Sequence, residues 1–378
     1  MARIRLGMVG GGNDAFIGGV HRIAARLDDR FELVAGALSS TPEKSAQSAA
    51  ALGIERSYGS YEEMAQAEAQ REDGIEAVSI VTPNHVHAAA AKAFLAKGIH
   101  VICDKPLTST MEDATALEAA VAQSDALFVL THNYTGYPMI RQARAMVAAG
   151  DLGAIRIVQA EYPQDWLTSP MEKEGLKQAQ WRTDPARSGA GGSIGDIGTH
   201  AHNLACFVSG LRLESLAADL QVWGAGRTLD DNAHMMLRFA GGARGMLWSS
   251  QVAPGNENAL KLRIFGEKGG LEWSQEDPNY LWFTPHGAPK RLLTRNGAGA
   301  TEASQGVSRI PGGHPEGYLE GFATLYNEAA DAIRAVQGGA DRATALNALP
   351  GIAEGMAGMR FITACVASSA NNGEWTAL

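Results

Sequence analysis

The segment Gly10-Gly11-Gly12-Asn13-Asp14-Ala15-Phe16-Ile17-Gly18 follows a predicted strand, Arg3 to Val9, and precedes the helical pattern of Val20 to Leu27. A glycine-rich turn between a strand and a helix gathers free backbone N–H groups and the positive end of the helix dipole at one point. Such a point suits a pyrophosphate, so the segment predicts a dinucleotide-binding turn. An ordinary loop is the alternative for a lone glycine cluster, and the two flanking elements argue against it.

Five residues of this turn are candidate cofactor contacts. We expect Gly10 and Gly12 to allow the tight turn and the close approach of a ligand, and Gly18 to allow the helix to pack on the strand. Phe16 and Ile17 stand just before Gly18 and complete the set. The spacing departs from G-x-G-x-x-G because the third glycine is displaced by about three residues.

Strands and helices continue to alternate up to residue 131. This alternation implies right-handed crossovers and a parallel sheet, which is a Rossmann-type arrangement. The further predicted strands are Phe31 to Leu38, Ala77 to Val81, His100 to Cys103 and Leu127 to Leu130. The predicted helices begin after Thr41 at Pro42, at a capping box of Ser60 and Glu63, at His85 and at Met111.

Ligands of parallel sheets bind outside the carboxyl ends of the strands. Polar residues at these ends extend the candidate cofactor site: Ser39, Ser40, Thr82, Asn84, Asp104, Lys105 and Asn133. Lys105 is also a candidate catalytic and substrate-binding residue, because Pro106 fixes the chain beside it near the expected nicotinamide. A lysine in a surface turn is the alternative.

The end of the second strand bears on the choice between NAD and NADP. An acidic residue normally binds the adenine ribose at this point, but here Leu38 is followed by Ser39 and Ser40. Their hydroxyls suit either a ribose or a 2′-phosphate, and Lys44 is the cation nearby in sequence. Because no arginine stands close by, we expect NAD as the cofactor and leave NADP open.

From about residue 153 several strands follow one another without helices, which predicts a large, mostly antiparallel sheet. Gly241-Gly242 is expected to form a two-residue hairpin turn, and two helices, Gly317 to Val336 and Leu349 to Ala370, close the chain. The predicted strands are Ala154 to Tyr162, Leu213 to Trp223, Asn232 to Ala240, Ala243 to Gln251 and Leu260 to Phe265.

The sequence thus predicts an α/β chain of two domains. Residues 1–131 form a Rossmann dinucleotide-binding domain, and residues 132–378 form an α/β domain that binds substrate and mediates oligomerisation. The last helix, residues 349–370, is expected to pack at the domain junction. Tryptophans at positions 223, 248, 273 and 282 suggest a partner subunit on the sheet, with core packing as the alternative.

A second chemical motif is Gly195-Asp196-Ile197-Gly198-Thr199-His200. If residues 197–208 are helical, Asp196 and His200 share one helix face, and a carboxylate beside an imidazole holds a tunable proton acceptor. A helix start capped by Asp196, with a buried and satisfied histidine, is the alternative. A metal site of Asp196, His200 and His202 is disfavoured, because side chains two residues apart on a helix point in different directions.

Composition limits the class of protein. The net charge of −9 and the lack of a basic stripe argue against nucleic-acid binding. There is neither a run of 18 apolar residues nor an apolar signal core, so we expect no membrane span and no export. Three scattered cysteines, Cys103, Cys206 and Cys365, form no disulfide framework, which favours a reducing cytoplasm.

Taken together, the displaced glycine turn, Thr82-Pro83-Asn84 with His87, Asp104-Lys105-Pro106 and the Gly195–His200 motif resemble the glucose–fructose oxidoreductase / inositol dehydrogenase / MocA (Gfo/Idh/MocA) family. The resemblance covers nearly the whole chain. Within the family, the tracts 15–18, 181–185 and 314–318 resemble dehydrogenases of scyllo-inositol, free sugars and levoglucosan. Two departures are Asp104, where the family usually has glutamate, and the missing acid of the second strand.

The resemblance implies that Lys105, Asp196 and His200 act together on a secondary alcohol or ketone of an inositol or sugar, with the nicotinamide as hydride partner. Lysine and histidine can exchange the roles of base and electrostatic aid. The resemblance also adds His87 to the cofactor site and implies a homodimer or homotetramer formed through the C-terminal sheet. The alternative function is a regulator of sugar metabolism that binds nicotinamide without catalysis.

Four further residues are candidate substrate contacts. A polyol requires paired polar groups and a flat apolar surface, and Gln164, Trp166 and Arg182 supply this chemistry. His314, in Gly312-Gly313-His314-Pro315, is a candidate contact from its own or a neighbouring subunit. Taken singly, each is also an ordinary loop residue.

Overall fold

The computed structural model describes residues 2–13, 15–346 and 349–378. The chain divides into two units, which are described separately: unit 1 is Met1–Asn133 with Leu319–Met356, and unit 2 is Tyr134–Tyr318 with Ala357–Leu378. Among the described helices, none combines the length and the apolar character that a membrane crossing requires.

Unit 1 contains a six-stranded parallel sheet in the order β3-β2-β1-β4-β5-β6, which confirms the predicted Rossmann arrangement. The central strands β4 and β5 are buried throughout and mostly apolar, as is typical of parallel strands covered on both faces. The strand order reverses between β1 and β4, where such sheets bind ligands. The strands are β1 Ile4–Gly10, β2 Phe31–Ala37, β3 Arg56–Ser57, β4 Ala77–Val81, β5 His100–Cys103 and β6 Phe128–Leu130.

Helices connect these strands, and their starts follow the predicted capping chemistry in part. The Ser60 hydroxyl accepts the Glu63 N–H at 3.2 Å, as predicted, but the Glu63 carboxylate accepts from Gly59. Thr41 stands at the N-cap of its helix without a side-chain cap bond, and Pro42 opens that helix. The helices are α1 Phe16–Leu27, α2 Pro42–Leu52, α3 Tyr61–Glu68, α4 Asn84–Leu95 and α5 Met111–Gln123.

Unit 2 is built on a nine-stranded sheet in the order β14-β13-β12-β11-β7-β10-β9-β8-β15. Only the β7–β10 pair is parallel among the described strand pairs of this sheet, so the predicted mostly antiparallel sheet is confirmed. The strands are β7 Ile155–Pro163, β8 Leu213–Gln221, β9 Asn232–Phe239, β10 Arg244–Ser250, β11 Lys261–Gly266, β12 Gly269–Ser274, β13 Tyr280–Pro285, β14 Arg291–Thr294 and β15 Thr376–Ala377.

The turn between β9 and β10 is longer than predicted. The Phe239 N–H donates to the Ala243 carbonyl at 3.0 Å, which leaves Ala240, Gly241 and Gly242 between them. Both glycines have positive φ, 81° and 95°, so their role as turn residues is correct. The two-residue turn was wrong because strand pairing ends at Arg238 and Arg244.

The sheet of unit 2 has one buried and one open face. Side chains of β9 alternate, with Met235 and Leu237 buried and Met236 57% exposed. Met246, directly opposite Met236 on β10, is 42% exposed. The four tryptophans considered above differ in exposure. Trp273 is buried against Tyr137, Trp248 is half-buried, and Trp223 and Trp282 are exposed.

The remaining helices are α6 Pro138–Ala148, α7 Lys177–Arg182, α8 Pro185–Ser188, α9 Thr199–Ser209, α10 Glu302–Gln305, α11 Tyr318–Gln337, α12 Arg342–Leu346 and α13 Ile352–Ala370. After α11 begins, the chain returns to unit 1, and it re-enters unit 2 within α13. α13 starts three residues later than predicted, because Leu349 precedes Pro350, which restricts its backbone.

Candidate active site

The glycine turn of unit 1 has a backbone conformation and a close helix contact that only glycine readily permits. Gly10 and Gly11 have φ of +78° and +71°. A Cβ on Gly18 would lie 2.4 Å from the Gly11 Cα, so helix and turn approach as closely as glycine permits. The expected packing role of Gly18 follows, but Gly11, not Gly12, carries the second positive φ.

Gly12 has a different task, since it lies against the end of β2. Its N–H donates to the Leu38 carbonyl at 3.2 Å, and a Cβ there would lie 2.9 Å from both that oxygen and Ser48 Oγ. Ser48 Oγ also accepts the Asn13 N–H at 3.4 Å, a contact that the sequence did not predict. The remaining candidates of this region are Phe16 (63% exposed), half-buried Ile17 and Ser39, and exposed Ser40 and Lys44.

Two polar residues, Thr82 after β4 and Asn133 after β6, suit a ligand rich in hydrogen-bonding groups. Thr82 Oγ1 and Asn133 Nδ2 are buried and have no hydrogen-bond partner among the described residues. Buried polar atoms are normally paired, so a ligand that supplies their partners explains both. This fits the bound dinucleotide expected there, with buried Asn84 beside Thr82.

His87 links two loops rather than offering a nitrogen to a ligand. Its Nδ1 lies 2.9 Å from the Pro106 carbonyl oxygen and its Nε2 lies 2.9 Å from the Thr82 carbonyl oxygen. The ring is fully buried, and burial lowers the pKa of His87 while Asp104 opposes this shift. His87 therefore forms a structural link between the Thr82 and Pro106 loops, and its contact with the cofactor stays a prediction.

Asp104 fixes the backbone that carries Lys105. Its Oδ1 accepts the Lys105 N–H at 2.9 Å and the Thr131 hydroxyl at 3.1 Å. The carboxylate thus ties the end of β5 to the end of β6. Lys105 is the second residue after β5 and is half-buried, so it lies at the carboxyl edge of the sheet as expected.

In unit 2, Asp196 lies in a π-helical turn, Ile194–Gly198, that leads into α9. The Thr199 N–H donates to the Ile194 carbonyl five residues earlier. Inserted turns of this kind are frequent at functional sites. The predicted α-helical start at Ile197 is corrected accordingly, and Gly198, not Asp196, stands at the N-cap of α9.

The Asp196 carboxylate is held by two donors from distant parts of the chain. Arg182 Nε lies 3.1 Å and Gln251 Nε2 lies 2.9 Å from Asp196 Oδ2. The Arg182 guanidinium also lies over the Trp181 ring, 4.3 Å from its centroid. Arg182, a predicted substrate contact, therefore forms an ion pair with Asp196, and Gln251 is a residue that the sequence did not reveal.

His200 and His202 lie in different surroundings. The His200 ring is buried and meets the Tyr134 ring edge-on, with 4.9 Å between centroids. The His202 ring stacks on Phe361 at 4.6 Å, and its Nε2 lies 3.6 Å from Cys206 Sγ. In the described part of the chain, no three His, Cys, Asp or Glu side chains are grouped as metal ligands.

A hydrogen-bonded chain runs from Trp166 to Tyr134, and its direction is fixed by chemistry. The indole N–H of Trp166 donates to Gln164 Oε1 (3.1 Å), so Gln164 Nε2 must donate to Asn258 Oδ1 (2.7 Å). Asn258 Oδ1 also accepts from Tyr162 (2.8 Å), whose oxygen accepts from Tyr134 (2.5 Å).

Gln164 and Trp166, predicted as substrate contacts, thus orient the tyrosines beside His200. Burial raises the pKa of Tyr134, and it raises the pKa of Tyr162 well above its usual value, so both phenols stay protonated. Sequence spacing marks neither Asn258 nor the tyrosines, because their partners lie far along the chain.

His314 is exposed on a loop whose carbonyl groups are bound by Arg295. Arg295, which is buried, donates to the carbonyl oxygens of Ile310, Pro311 and His314 at 2.7, 2.9 and 2.5 Å. Arg295 also pairs with buried Glu316 at 2.8 Å. The structure brings His314 to no other predicted site residue of unit 2 by a described contact.

Comparison with known proteins identifies the family. A profile described as "Oxidoreductase family, NAD-binding Rossmann fold" matches residues 4–132, and one described as "GFO/IDH/MocA C-terminal domain" matches residues 140–272.

The chain is similar to three characterised or solved relatives. It is 61% identical to an oxidoreductase from Sinorhizobium meliloti, with a TM-score of 0.90 over 99% of each chain. It is 37% identical to an inositol dehydrogenase homolog complexed with NAD+ from Azotobacter vinelandii, with a TM-score of 0.95 over 100% of this chain and 97% of that chain. A levoglucosan dehydrogenase from Pseudarthrobacter phenanthrenivorans is 28% identical over 73% of this chain and 75% of that protein. The chain therefore belongs to the Gfo/Idh/MocA family of NAD-binding oxidoreductases.

Proposed function

We propose that this protein is an NAD-dependent dehydrogenase that oxidises a secondary hydroxyl of a polyol, an inositol or a sugar. The observation that carries the proposal is the Asp196 carboxylate, fixed by Arg182 and Gln251 in the turn that leads into His200. A fixed carboxylate and an imidazole suit a substrate with several hydroxyl groups. The similarity to an inositol dehydrogenase homolog and to a levoglucosan dehydrogenase supports this substrate class.

In the proposed reaction, His200 accepts the proton of the reacting hydroxyl, and Lys105 donates a hydrogen bond to the same oxygen. The lysine ammonium then stabilises the developing alkoxide charge. Either residue can serve as the base, with the other as the electrostatic aid. Asp196, whose Oδ2 holds two donors, orients the imidazole and accepts a hydrogen bond from a second substrate hydroxyl.

NAD, when bound, accepts the hydride that leaves the substrate carbon. We infer that Gly10, Gly11 and Gly12 hold its pyrophosphate, and that Thr82 and Asn133 supply polar contacts from the ends of the strands. We also infer that Ser39 and Ser40 meet the adenine ribose. NAD is favoured over NADP because no arginine stands near these hydroxyls in the sequence, where exposed Lys44 is the nearby cation.

We further infer that residues 1–131 act as the cofactor domain and residues 132–378 as the substrate domain of a cytoplasmic homodimer or homotetramer. The open face of the unit 2 sheet supports self-association, since an exposed apolar patch on a sheet commonly marks an interface. Ile157, Met236 and Met246 form an exposed apolar patch on this face. In such an assembly, His314 contacts a substrate hydroxyl in its own or a neighbouring subunit.

The test is NADH formation, followed at about 340 nm, with a panel of inositols, free sugars and levoglucosan. We expect turnover with at least one of these polyols and faster turnover with NAD than with NADP. If NAD binds in a fluorescence titration but none of the polyols is oxidised, the protein is a regulator and not a dehydrogenase of this class.

A further inference from the structure

Three consecutive backbone N–H groups ahead of the π-helical turn are all bound by one residue, Asp230. The Gly192 N–H donates to Asp230 Oδ1 at 2.7 Å, and the Ile194 N–H donates to Asp230 Oδ2 at 2.8 Å. Between them, the Ser193 N–H donates to the backbone carbonyl of Asp230 at 2.7 Å. Asp230 is buried in the connection between β8 and β9, so these bonds are made away from water.

The close approach of Asp230 requires a glycine at position 192. A Cβ on Gly192 would lie 2.1 Å from the Asp230 carbonyl oxygen, which is closer than any side chain can come. The two backbones therefore touch at a distance that only glycine permits. This contact explains Gly192 without a ligand.

Asp231, the next residue, is connected to Asp196 through hydrogen bonds of Gln251. Its backbone carbonyl accepts the Gln251 N–H at 2.8 Å, and the Gln251 amide donates to Asp196 Oδ2 at 2.9 Å. The Asp231 carboxylate is anchored in turn by the N–H groups of Trp223 and Gly224, at 2.9 and 2.7 Å. The Asp230-Asp231 pair thus supports Asp196 both through the backbone of its turn and through Gln251.

We propose that Asp230 is a positioning residue for the dehydrogenase reaction: it fixes residues 192–194 and thereby the π-helical turn that presents Asp196 and leads into His200. The expected effect of Asp230 on turnover rests on the proposed function. Asp230 acts through the backbone of the turn.

Both oxygens of Asp230 must accept hydrogen bonds, because each faces an N–H group. Asparagine has nearly the same shape but would turn an NH₂ donor toward one of these N–H groups. Asp230→Asn therefore changes the side-chain volume little but removes one of the two hydrogen bonds. At that position the new NH₂ group faces a backbone N–H, so two donors face each other. A catalytic group displaced by about 1 Å loses on the order of 100-fold in turnover.

The experiment compares wild type with Asp230→Asn, Gly192→Ala and the control Glu68→Gln. Glu68 is a buried carboxylate of unit 1 that accepts the Ile75 N–H at 3.0 Å and pairs with Arg56 at 2.7 Å, so its variant removes a buried charge away from the turn. The measurements are kcat and KM with the best polyol, the Kd for NAD, and the NMR resonance of the His200 ring, assigned with His200→Gln.

We expect kcat to fall by about 100-fold in Asp230→Asn and Gly192→Ala, with an unchanged Kd for NAD and a shifted His200 resonance. Glu68→Gln should keep the wild-type kcat and the wild-type resonance. A folded Asp230→Asn with normal kcat and an unshifted His200 resonance overturns the proposal.

If Asp230→Asn does not fold, Gly192→Ala decides by the same measurements. If the wild-type protein oxidises no polyol, the proposed function fails, and the His200 resonance alone decides whether Asp230 positions the turn.

Discussion

Asp196 receives its two described donors, Arg182 and Gln251, from segments 14 and 55 residues away in sequence. Such a carboxylate is oriented before a substrate arrives, and pre-orientation is a main source of rate enhancement. His200 lies beside Tyr134 and Tyr162, whose phenols stay protonated because burial raises the pKa of each. At the residue scale, we therefore propose the imidazole or Lys105, and not a tyrosine, as the acceptor of the substrate proton.

The first prediction concerns these two acceptors. Lys105→Ala and His200→Ala should each lower kcat by about 10²- to 10⁴-fold, since each removes an acid–base or electrostatic contribution to the transition state. The Kd for NAD should change little in both variants. Steady-state kinetics at saturating NAD and a fluorescence titration measure the two effects.

His202→Phe provides the matched control, because His202 is a second buried histidine on α9 whose ring stacks on Phe361. This variant should keep the wild-type kcat. Near-normal turnover in both Lys105→Ala and His200→Ala would contradict the assignment of these residues.

At the element scale, α9 carries a histidine that is buried in its neutral form. Burial lowers the pKa of His202 from 6.5 to about 4. The unfolded chain therefore takes up a proton near pH 6.5 while the folded chain does not. Stability that is present above pH 6.5 is lost as the pH falls from 6.5 toward 4, by about 3 kcal/mol at most for this group.

The second prediction follows from that sign. His202→Phe keeps an aromatic ring against Phe361 and removes the titrating group, whose Nδ1 has no partner among the described residues. Its melting temperature should match wild type at pH 8 and exceed it at pH 5. If the melting temperatures of the two proteins fall by the same amount between pH 8 and pH 5, His202 does not titrate in this way.

The elements differ in how far the sequence predicts them. The strands of unit 1 are continuous buried runs, such as Ala77–Val81, and local pattern is enough to place them. The π-helical turn at Asp196 depends on Asp230, a residue remote in sequence, so no local pattern predicts it.

The candidate site shows the same limit. Residue types and strand ends identify Lys105, Asp196 and His200 as candidates, but the pairing of Arg182 with Asp196 requires the folded chain. His87 is a residue type that often contacts ligands, yet its two ring nitrogens face the carbonyl oxygens of Thr82 and Pro106. The residue type and its place in the sequence therefore identify candidate site residues, but they do not identify the hydrogen-bond partner of each side chain.

At the scale of the whole molecule, the open face of the unit 2 sheet carries methionines opposite each other on neighbouring strands, Met236 and Met246. Next to Met246 on β7 stands Gln159, and Ile157 is 44% exposed on the same strand. An exposed apolar patch of this kind suits a second copy of the chain, because apolar surface on a sheet is normally covered.

The third prediction is that Met246→Lys dissociates the proposed homodimer or homotetramer. A charge at the centre of an apolar interface is costly to bury without a partner, so the mass measured by light scattering should fall to that of one chain. Leu27→Lys, at an apolar position 44% exposed on α1 of unit 1, is the control and should keep the wild-type mass. An unchanged mass for Met246→Lys would exclude this face as the interface.

The most direct test of the central claim is the crystal structure of the protein with NADH and an oxidisable polyol. Lys105, Asp196 and His200 are proposed to act on one substrate, so Lys105 Nζ and a His200 ring nitrogen should each lie within about 3.2 Å of the same substrate oxygen. Asp196 should accept a hydrogen bond from a neighbouring hydroxyl. A complex in which Lys105 Nζ lies more than about 10 Å from the His200 ring, well beyond hydrogen-bonding reach, would contradict the account.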